Sequence, residues 1–159
     1  MIVTLSGVTG TGKSFFKNTI SEELCFKNLV IVTTREKRIG EVNGIDKEFV
    51  SEEEFEKLKK EKQIVVDFEF LGSKYAYRKA DLDSNVNQVT EVHYSTIYEF
   101  KKNAKNVFSI YMIPKDLERA KQELRKRNLS KETEQKRLKE IDEHIKEYEQ
   151  NKVLQKNKK

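Results

Sequence analysis

The strongest constraint on the fold is a glycine-rich segment of eight residues close to the N-terminus. Residues 7–14 read GVTGTGKS and match the pattern G-x-x-x-x-G-K-[ST] without a mismatch. The segment follows the apolar run Ile2–Leu5 and precedes a helical pattern in which Phe16, Ile20 and Leu24 are spaced by four residues. Glycine-rich turns in this position let backbone N–H groups face phosphate oxygens at the N-terminus of a helix. The segment therefore predicts a strand–loop–helix unit that binds a nucleoside triphosphate.

The side chains at the end of this loop indicate how the phosphates are held. The Lys13 ammonium can bridge the outer phosphates, and the Ser14 hydroxyl can ligate Mg²⁺. The loop residues expected to contact the triphosphate are Gly7, Thr9, Gly10, Thr11, Gly12, Lys13 and Ser14. A chance glycine turn before a helix is the alternative, but here both the motif and its context are complete.

Short β-branched runs alternate with longer helical patterns along most of the chain. This alternation is typical of α/β domains in which helices flank a largely parallel sheet. The candidate strands are Ile2–Leu5, Leu29–Thr33, Val89–Tyr94 and Val107–Ile113. A last helix is predicted at about residues 131–150, because Leu138, Ile141 and Ile145 recur at helical spacing. We expect that stripe to face the core.

The middle of the chain departs from this alternation. Residues 51–54 read SEEE, a capping box that predicts a helix continuing to Lys60. The runs Ile64–Leu71 and Lys74–Arg78 flank the pair Gly72-Ser73, which indicates an antiparallel hairpin. The sequence therefore predicts a small β-rich insertion within the α/β core.

The composition excludes several classes of protein. Because the longest aliphatic run is Leu29–Val32, we expect no membrane span. Met1 leads directly into apolar residues without a basic segment, so no secretory signal is expected either. Cys25 is the only cysteine, which rules out an intramolecular disulfide and indicates a reducing, cytoplasmic location. We expect the Cys25 side chain to lie in the core as a small hydrophobic group.

The net charge of +5 is concentrated in the last third of the chain. Residues 115–159 contain 15 Lys/Arg and 10 Asp/Glu, so this part carries the whole excess. Such an excess suits polyanions, either nucleotide phosphates or nucleic acid. Nucleic-acid binding is the weaker alternative, because the charges are mixed and no aromatic residues are interleaved with them. His144 lies among these charges, and we expect it to be solvated.

Three segments together resemble the guanylate kinase family. Residues 33–46 read TTREKRIGEVNGID and match the family pattern T-T-R-x-x-R-x-G-E-x-x-G-x-D, which is followed by F-V-S at residues 49–51. The phosphate loop lies upstream and Gly72-x-x-Tyr75 lies downstream. The resemblance covers most of the chain and implies a P-loop core, an insertion that binds the nucleoside monophosphate, and a short arginine-bearing lid. It also implies Mg²⁺-dependent phosphoryl transfer from ATP to GMP, dGMP or a related monophosphate.

The resemblance assigns boundaries and roles by position. It implies a single domain over residues 1–159, with a core at 1–34 and 80–159, an insertion at about 35–79 and a lid at about 125–137. Arg35 and Arg38 correspond to the pair that clamps the acceptor phosphate, and two guanidinium groups three residues apart can meet a phosphate bidentately. The other residues with implied roles are Tyr75 at the acceptor phosphate, Arg125, Arg127 and Arg137 as lid arginines, and Glu91 near the magnesium ion.

The departures from the family pattern fall mainly at base-reading positions. Ile31 replaces a serine that reads guanine, Tyr77 replaces Ser/Thr, His93 replaces Asp, and Lys47 replaces a tyrosine at the acceptor phosphate. A guanine-reading glutamate aligns with Val66, although Asp67 or Glu69 could substitute for it after a slip in register. We therefore count Lys47, Asp67, Glu69, Tyr77 and His93 among the candidate substrate contacts.

These departures leave alternatives to a guanylate-type kinase open. One is a kinase of the same family that acts on a different small molecule, such as a sugar phosphate. Another is a non-catalytic binding module, which the intact phosphate loop opposes. The sequence leaves the oligomeric state open between monomer and homodimer, and the expected partner is a small nucleotide.

Overall fold

The computed structural model describes residues 1–126 and 129–150, which form two four-stranded sheets and their flanking helices. The elements are β1 (Ile2–Gly7), α1 (Lys13–Glu23), β2 (Lys27–Asn28), β3 (Ile31–Thr33), β4 (Glu48–Phe49), α2 (Glu52–Lys60), β5 (Ile64–Phe70), β6 (Ser73–Arg78), α3 (Lys79–Leu82), β7 (Gln88–Glu91), a 3₁₀ turn (Tyr94–Thr96), α4 (Ile97–Asn103), β8 (Val107–Met112), α5 (Leu117–Arg125) and α6 (Lys131–Gln150). The described helices include none that is long and apolar enough to cross a membrane.

The first sheet is parallel and has the strand order β2-β7-β1-β8. The central strand, β1, is buried from Ile2 to Ser6, as expected for a strand that is covered on both faces. Its side chains Val3 and Leu5 pack with Ile20 of α1 and with Val89 of β7. Because the strands are parallel, the phosphate loop and the residues after β7 lie at the same carboxyl edge, where α/β sheets bind ligands. The predicted α/β fold is confirmed.

The second sheet is mixed and has the strand order β4-β3-β6-β5. The single strand predicted at Leu29–Thr33 is wrong, because the chain leaves the first sheet after the Leu29 N–H donates to Val89 O at 3.0 Å. The next residues, Ile31–Thr33, pair antiparallel with β6 and parallel with β4. The chain thus passes from one sheet to the other within a single apolar run. The periodicity of the sequence does not distinguish such a run from one continuous strand. The boundaries given for the core, the insertion and the lid stay predictions.

The helix and hairpin predicted in the middle of the chain are both present. The Ser51 hydroxyl caps α2 by accepting the Glu54 N–H at 3.1 Å, and α2 packs Phe55 and Leu58 against the second sheet. Strands β5 and β6 are antiparallel. The two turn residues are Leu71 and Gly72, both with positive φ, which is the backbone of a type I′ hairpin.

Helix α6, near the C-terminus of the chain, packs against the phosphate loop. Ile141 is fully buried in a cluster with Val8 and Leu124, and Leu138 and Ile145 pack against that cluster. This confirms the predicted apolar stripe. The expectation that His144 is solvated is wrong: the residue is only 6% exposed, because it lies on the inward face of α6.

The expected burial of Cys25 is also wrong. The residue follows α1 with a φ of 55° and is exposed. The left-handed backbone turns the chain toward β2, and Phe26 rather than Cys25 enters the core.

Candidate active site

A cleft of about 610 Å³ is lined by residues of the phosphate loop, of both sheets and of α6. Of the residues selected from the sequence, those that line it are Gly7, Thr9, Gly10, Gly12, Lys13, Ser14, Arg35, Arg38, Lys47, Tyr75, Glu91, His93 and Arg137. Cationic side chains outnumber acidic ones in this lining, since Lys17 also contributes and the acids are Asp46, Glu91 and Glu140. The cleft therefore carries the positive charge that phosphate groups require.

The phosphate loop is tightly held against the C-terminal part of the core. Gly7 has a φ of 125°, and a Cβ there would lie 2.1 Å from Met112 O. Gly10 has a φ of 87°, and a Cβ there would lie 2.9 Å from Ala120 O. Gly12, also with positive φ, forms the N-cap of α1. Gly7 and Gly10 are thus required both by backbone conformation and by close packing against other backbone atoms, whereas Gly12 has open space around a Cβ and is favoured by its conformation alone.

Replacing Gly7 with alanine should destabilise the protein by about 3 kcal/mol or more, because the new methyl group adds a backbone clash to the cost of positive φ. The matched control is Gly40→Ala. Gly40 likewise has a positive φ, of 87°, but there is open space where its Cβ would lie. Only the conformational cost of about 1–2 kcal/mol therefore applies. Urea denaturation of both variants measures the difference in the free energy of unfolding. Equal losses would show that the close approach at Gly7 is unimportant.

Lys13 lies back along the loop that contains it. Its Nζ donates to Gly7 O and to Val8 O, each at 2.9 Å, which places the ammonium group beside the phosphate-binding backbone. Thr11 does not line the cleft, and its hydroxyl donates to Val8 O at 2.8 Å. The Thr11 hydroxyl thus braces the loop, and the contact of Thr11 with the triphosphate stays a prediction. Ser14 is exposed at the cleft.

The two clamp arginines are organised by Glu41. Arg35 donates from one terminal nitrogen to both Glu41 oxygens, at 2.6 and 2.8 Å, and its guanidinium lies 5.4 Å from the centre of the Phe49 ring. The Arg38 N–H donates to the same carboxylate at 2.8 Å. Burial acts to raise the pKa of Glu41, but these hydrogen bonds outweigh it and lower the pKa. Glu41 therefore stays ionised and holds Arg35 at the cleft.

Lys47 lies among other cationic groups at this end of the cleft. Burial lowers the pKa of its ammonium group, and the neighbouring Arg35 lowers it further. The Glu91 carboxylate acts in the opposite direction. Such crowding of positive charge is unfavourable in the free protein, and an anion bound between these side chains would relieve it.

A β-bulge decides which side chains of β5 face the cleft. Val65 pairs with Tyr77 and Phe68 pairs with Tyr75, so two residues of β5 stand opposite one residue of β6. Val66, one of the two, has a φ of 56°. A one-residue bulge reverses the facing of every later residue in the strand. Phe68 and the next alternate residue, Phe70, consequently line the cleft.

Three of the predicted substrate contacts lie outside the cleft lining. Because of the bulge, Asp67 is exposed and pairs with Lys59, and Glu69 is exposed as well. Tyr77 is fully buried, and its hydroxyl donates to Glu91 O at 2.9 Å. Burial raises the pKa of Tyr77, as expected for a phenol inside the core. None of the three side chains therefore lines this cleft, and the geometry gives no support to their predicted contact with the substrate.

The wall beside the bulge is aromatic. Phe68 stacks on Tyr75 with ring centres 5.2 Å apart, and the Phe70 ring lies 5.5 Å from His93. Tyr94 adjoins His93 at 4.6 Å. Phe68, Phe70 and Tyr94 were not selected from the sequence. The direction of Phe68 and Phe70 depends on the register of the bulged strand, and Tyr94 lies in the 3₁₀ turn that follows β7.

The lid arginines differ in position. Arg137 lines the cleft, lies 5.0 Å from the Phe70 ring and approaches Glu140 at 3.6 Å. Arg125 is half-exposed, lies 3.9 Å from Glu134 and does not line the cleft. Arg127 lies outside the described residues. Of the two described lid arginines, only Arg137 is placed to contact a ligand.

Helix α6 brings two further groups that sequence reasoning missed. Glu140 and His144 both line the cleft, one helical turn apart. Burial raises the pKa of Glu140, although the nearby Arg137 and Lys13 oppose that rise. Their spacing of four residues was a visible signal, because it places two side chains on one helix face.

Comparison with known proteins agrees with the family resemblance of the sequence. The family model described as guanylate kinase matches residues 1–158. The guanylate kinase of Rickettsia prowazekii (strain Madrid E) is 31% identical over 132 residues, which cover 80% of this chain and 67% of that protein. The guanylate kinase of Streptococcus pneumoniae (strain ATCC BAA-255 / R6) is 32% identical over 124 residues, which cover 74% of this chain and 60% of that protein.

A solved structure gives the same result. The crystal structure of guanylate kinase from Anaplasma phagocytophilum superposes with a TM-score of 0.67 at 27% sequence identity, and the match covers 92% of this chain and 70% of that one. The chain spans about two thirds of the length of the relatives it matches. With a family model that matches almost every residue and with relatives above 30% identity, the chain belongs to the guanylate kinase family.

Proposed function

We propose that this protein is a nucleoside monophosphate kinase that transfers the γ-phosphoryl group of ATP to GMP, dGMP or a closely related monophosphate. The observation that supports this most strongly is that the phosphate loop and the Arg35/Arg38 pair line one cleft. A loop for the donor phosphates and a separate arginine clamp for an acceptor phosphate are the parts that phosphoryl transfer between two nucleotides needs.

The chemistry asks for positioning and charge neutralisation more than for covalent catalysis. Backbone N–H groups of the loop hold the donor phosphates, and Lys13 adds a positive charge beside them. Arg35 and Arg38 hold the acceptor phosphate in line for attack, with Glu41 fixing the Arg35 guanidinium. Arg137 reaches the cleft from α6, and we expect its guanidinium to neutralise charge on the transferred group.

The oxygen donors in the cleft fit a magnesium ion. The Ser14 hydroxyl and the Glu91 carboxylate both line it, and Mg²⁺ prefers such hard oxygen ligands together with phosphate oxygens and water. We propose that these two residues hold Mg²⁺ directly or through water. When bound, the ion supplies neutralisation of phosphate charge.

An ADP-release assay with ATP, Mg²⁺ and a panel of monophosphates tests the proposal. We expect ADP release to depend on a purine monophosphate. Release that depended only on a sugar phosphate would move the protein to the alternative kinase class. Absence of release with every acceptor, with ATP still bound, would indicate a binding module.

Removing either clamp arginine should weaken the acceptor far more than ATP. Arg35→Ala and Arg38→Ala each delete a charge-assisted hydrogen bond worth about 1.5–3 kcal/mol, which corresponds to roughly 10- to 100-fold in acceptor affinity. The control is Arg119→Ala, which removes an exposed arginine of α5 that does not line the cleft. Equal losses of affinity for ATP and acceptor, measured by calorimetry, would show that the arginines do not form a separate acceptor site.

The cytoplasmic location and the choice between monomer and homodimer stay predictions. The lone cysteine favours a reducing compartment. The nucleotide is proposed as a small-molecule partner, and the mixed charge of α6 gives no support for nucleic acid.

A further inference from the structure

The only two histidines in the sequence meet at the cleft. His93 follows β7, whereas His144 lies on α6, and their ring centres are 5.4 Å apart. Glu140 completes the group, because its Oε1 lies 3.7 Å from the His144 Nε2. One potential ligand atom from each of the three residues lies within 4.8 Å of the other two. The fold thus brings together three side chains of types that can ligate a metal, from two separate parts of the chain.

We propose that His93, Glu140 and His144 form a binding site for Zn²⁺ or a similar borderline transition-metal dication. Two histidines and one glutamate are a ligand set that zinc sites with an open coordination position use. Zinc–ligand bonds of about 2.0–2.1 Å place the ligand atoms of a tetrahedral site about 3.3 Å apart, so the present atoms, within 4.8 Å of one another, would approach by up to about 1.5 Å on binding. Imidazole nitrogen suits zinc and not magnesium, so this site is separate in chemistry from the one proposed at Ser14 and Glu91.

The surroundings of the three residues support metal binding. The His93 Nδ1 is hydrogen-bonded to the Ser95 hydroxyl at 2.8 Å, which orients the ring. The side chains of His144 and Glu140 are only 7% and 16% exposed, so their charge and dipoles act in a medium of low dielectric constant. All three residues line the cleft, so the open position of the metal faces a space that water or a phosphate oxygen can enter.

Positive side chains near Glu140 oppose the proposed ion. Arg137 approaches the Glu140 carboxylate at 3.6 Å, and Lys13 also acts on it. Removing the Arg137 charge should therefore tighten metal binding. The Glu140 carboxylate would no longer be paired with a guanidinium, and the metal cation would no longer be repelled by a neighbouring positive charge. If His93 and His144 only packed against their aromatic neighbours and bound no metal, removing the Arg137 charge would not produce tighter metal binding.

Titration of the nucleotide-free protein with Co²⁺, followed by its visible absorption, tests the site, and Zn²⁺ competition then measures the zinc affinity. The background is Cys25→Ser, which removes the only thiol. We expect one ion per chain, resistance to excess Mg²⁺, and at least about a 10-fold loss of affinity in His93→Gln, Glu140→Gln and His144→Ala. We expect Arg137→Ala to bind more tightly, and Glu132→Gln, an exposed position on the same helix, to bind as the parent does.

Because His144 is buried, its variant could lose structure, so His93→Gln and the isosteric Glu140→Gln carry the test with circular dichroism as the check of folding. Absence of a 1:1 complex, or a complex that survives both of these substitutions in folded protein, would overturn the proposal. The titration contains no nucleotide, so its failure would leave the proposed kinase activity untouched.

Discussion

Replacing Lys13 with alanine should lower kcat for phosphoryl transfer by about 10³-fold or more while the protein stays folded. The Lys13 ammonium lies 2.9 Å from two carbonyl oxygens of the phosphate loop, beside the place where the outer phosphates are expected. Charged groups that stabilise the transferring phosphoryl group contribute about 10³–10⁵ in rate. The two hydrogen bonds that are lost each contribute only about 1 kcal/mol to stability. The measurement is ADP release at saturating ATP and GMP, together with a thermal unfolding curve.

The matched control is Lys57→Ala, which removes a lysine from the exposed face of α2 and should leave turnover unchanged. Near-normal turnover of Lys13→Ala would contradict the kinase assignment, because the motif requires that charge. Unfolding of the variant would show instead that the lysine is needed to hold the loop, and Lys13→Met, which keeps the apolar stem, would then separate the two roles.

The phosphate loop was predictable because its requirements are local. The positive φ values of Gly7, Gly10 and Gly12 and the helix that follows are properties of consecutive residues. The same holds for the α2 capping box, where Ser51 contacts a residue three positions away. Sequence patterns record such short-range constraints directly.

The aromatic wall of the cleft was not predictable, because a shift of one residue in the register of β5 decides which side chains form it. The bulge at Val66 turns Phe68 and Phe70 toward the cleft and leaves Asp67 and Glu69 outside it. No glycine or proline marks the bulge in the sequence, and a valine adopts the positive φ. Tyr77 was misplaced for a related reason, since a tyrosine on a hairpin strand can face either the cleft or the core.

The meeting of His93 with His144 was equally beyond sequence reasoning. The two residues are far apart in the chain, and their contact depends on how α6 packs over the phosphate loop through Ile141 and Val8. The pattern of Glu140 and His144 indicated a shared helix face, but it did not indicate which surface that face would meet.

The side chains of the aromatic wall lead to an expectation about how the base is recognised. Sites that hydrogen-bond a substrate edge reject analogues by about 10⁴–10⁵, because a mismatched analogue leaves buried polar groups unpaired. In this cleft Ile31 presents an apolar side chain, and Phe68 stacks on Tyr75 beside it. Stacking on an aromatic face contributes about 1–3 kcal/mol per base and is tolerant of base identity, because every base has a π-face.

We therefore expect kcat/KM for GMP to exceed that for AMP by less than about 100-fold, well below the discrimination of a site that reads the guanine edge. Phe68→Ala should lower kcat/KM for both purine monophosphates by about 10-fold and leave their ratio unchanged, since it removes stacking alone. Tyr98→Ala, at an aromatic residue that is 70% exposed on α4, serves as the control. A preference for GMP of 10⁴-fold or more would overturn this expectation. The guanine edge would then be read by another polar group of the cleft, and Glu140→Gln would identify it if the substitution lowered kcat/KM for GMP but not for AMP.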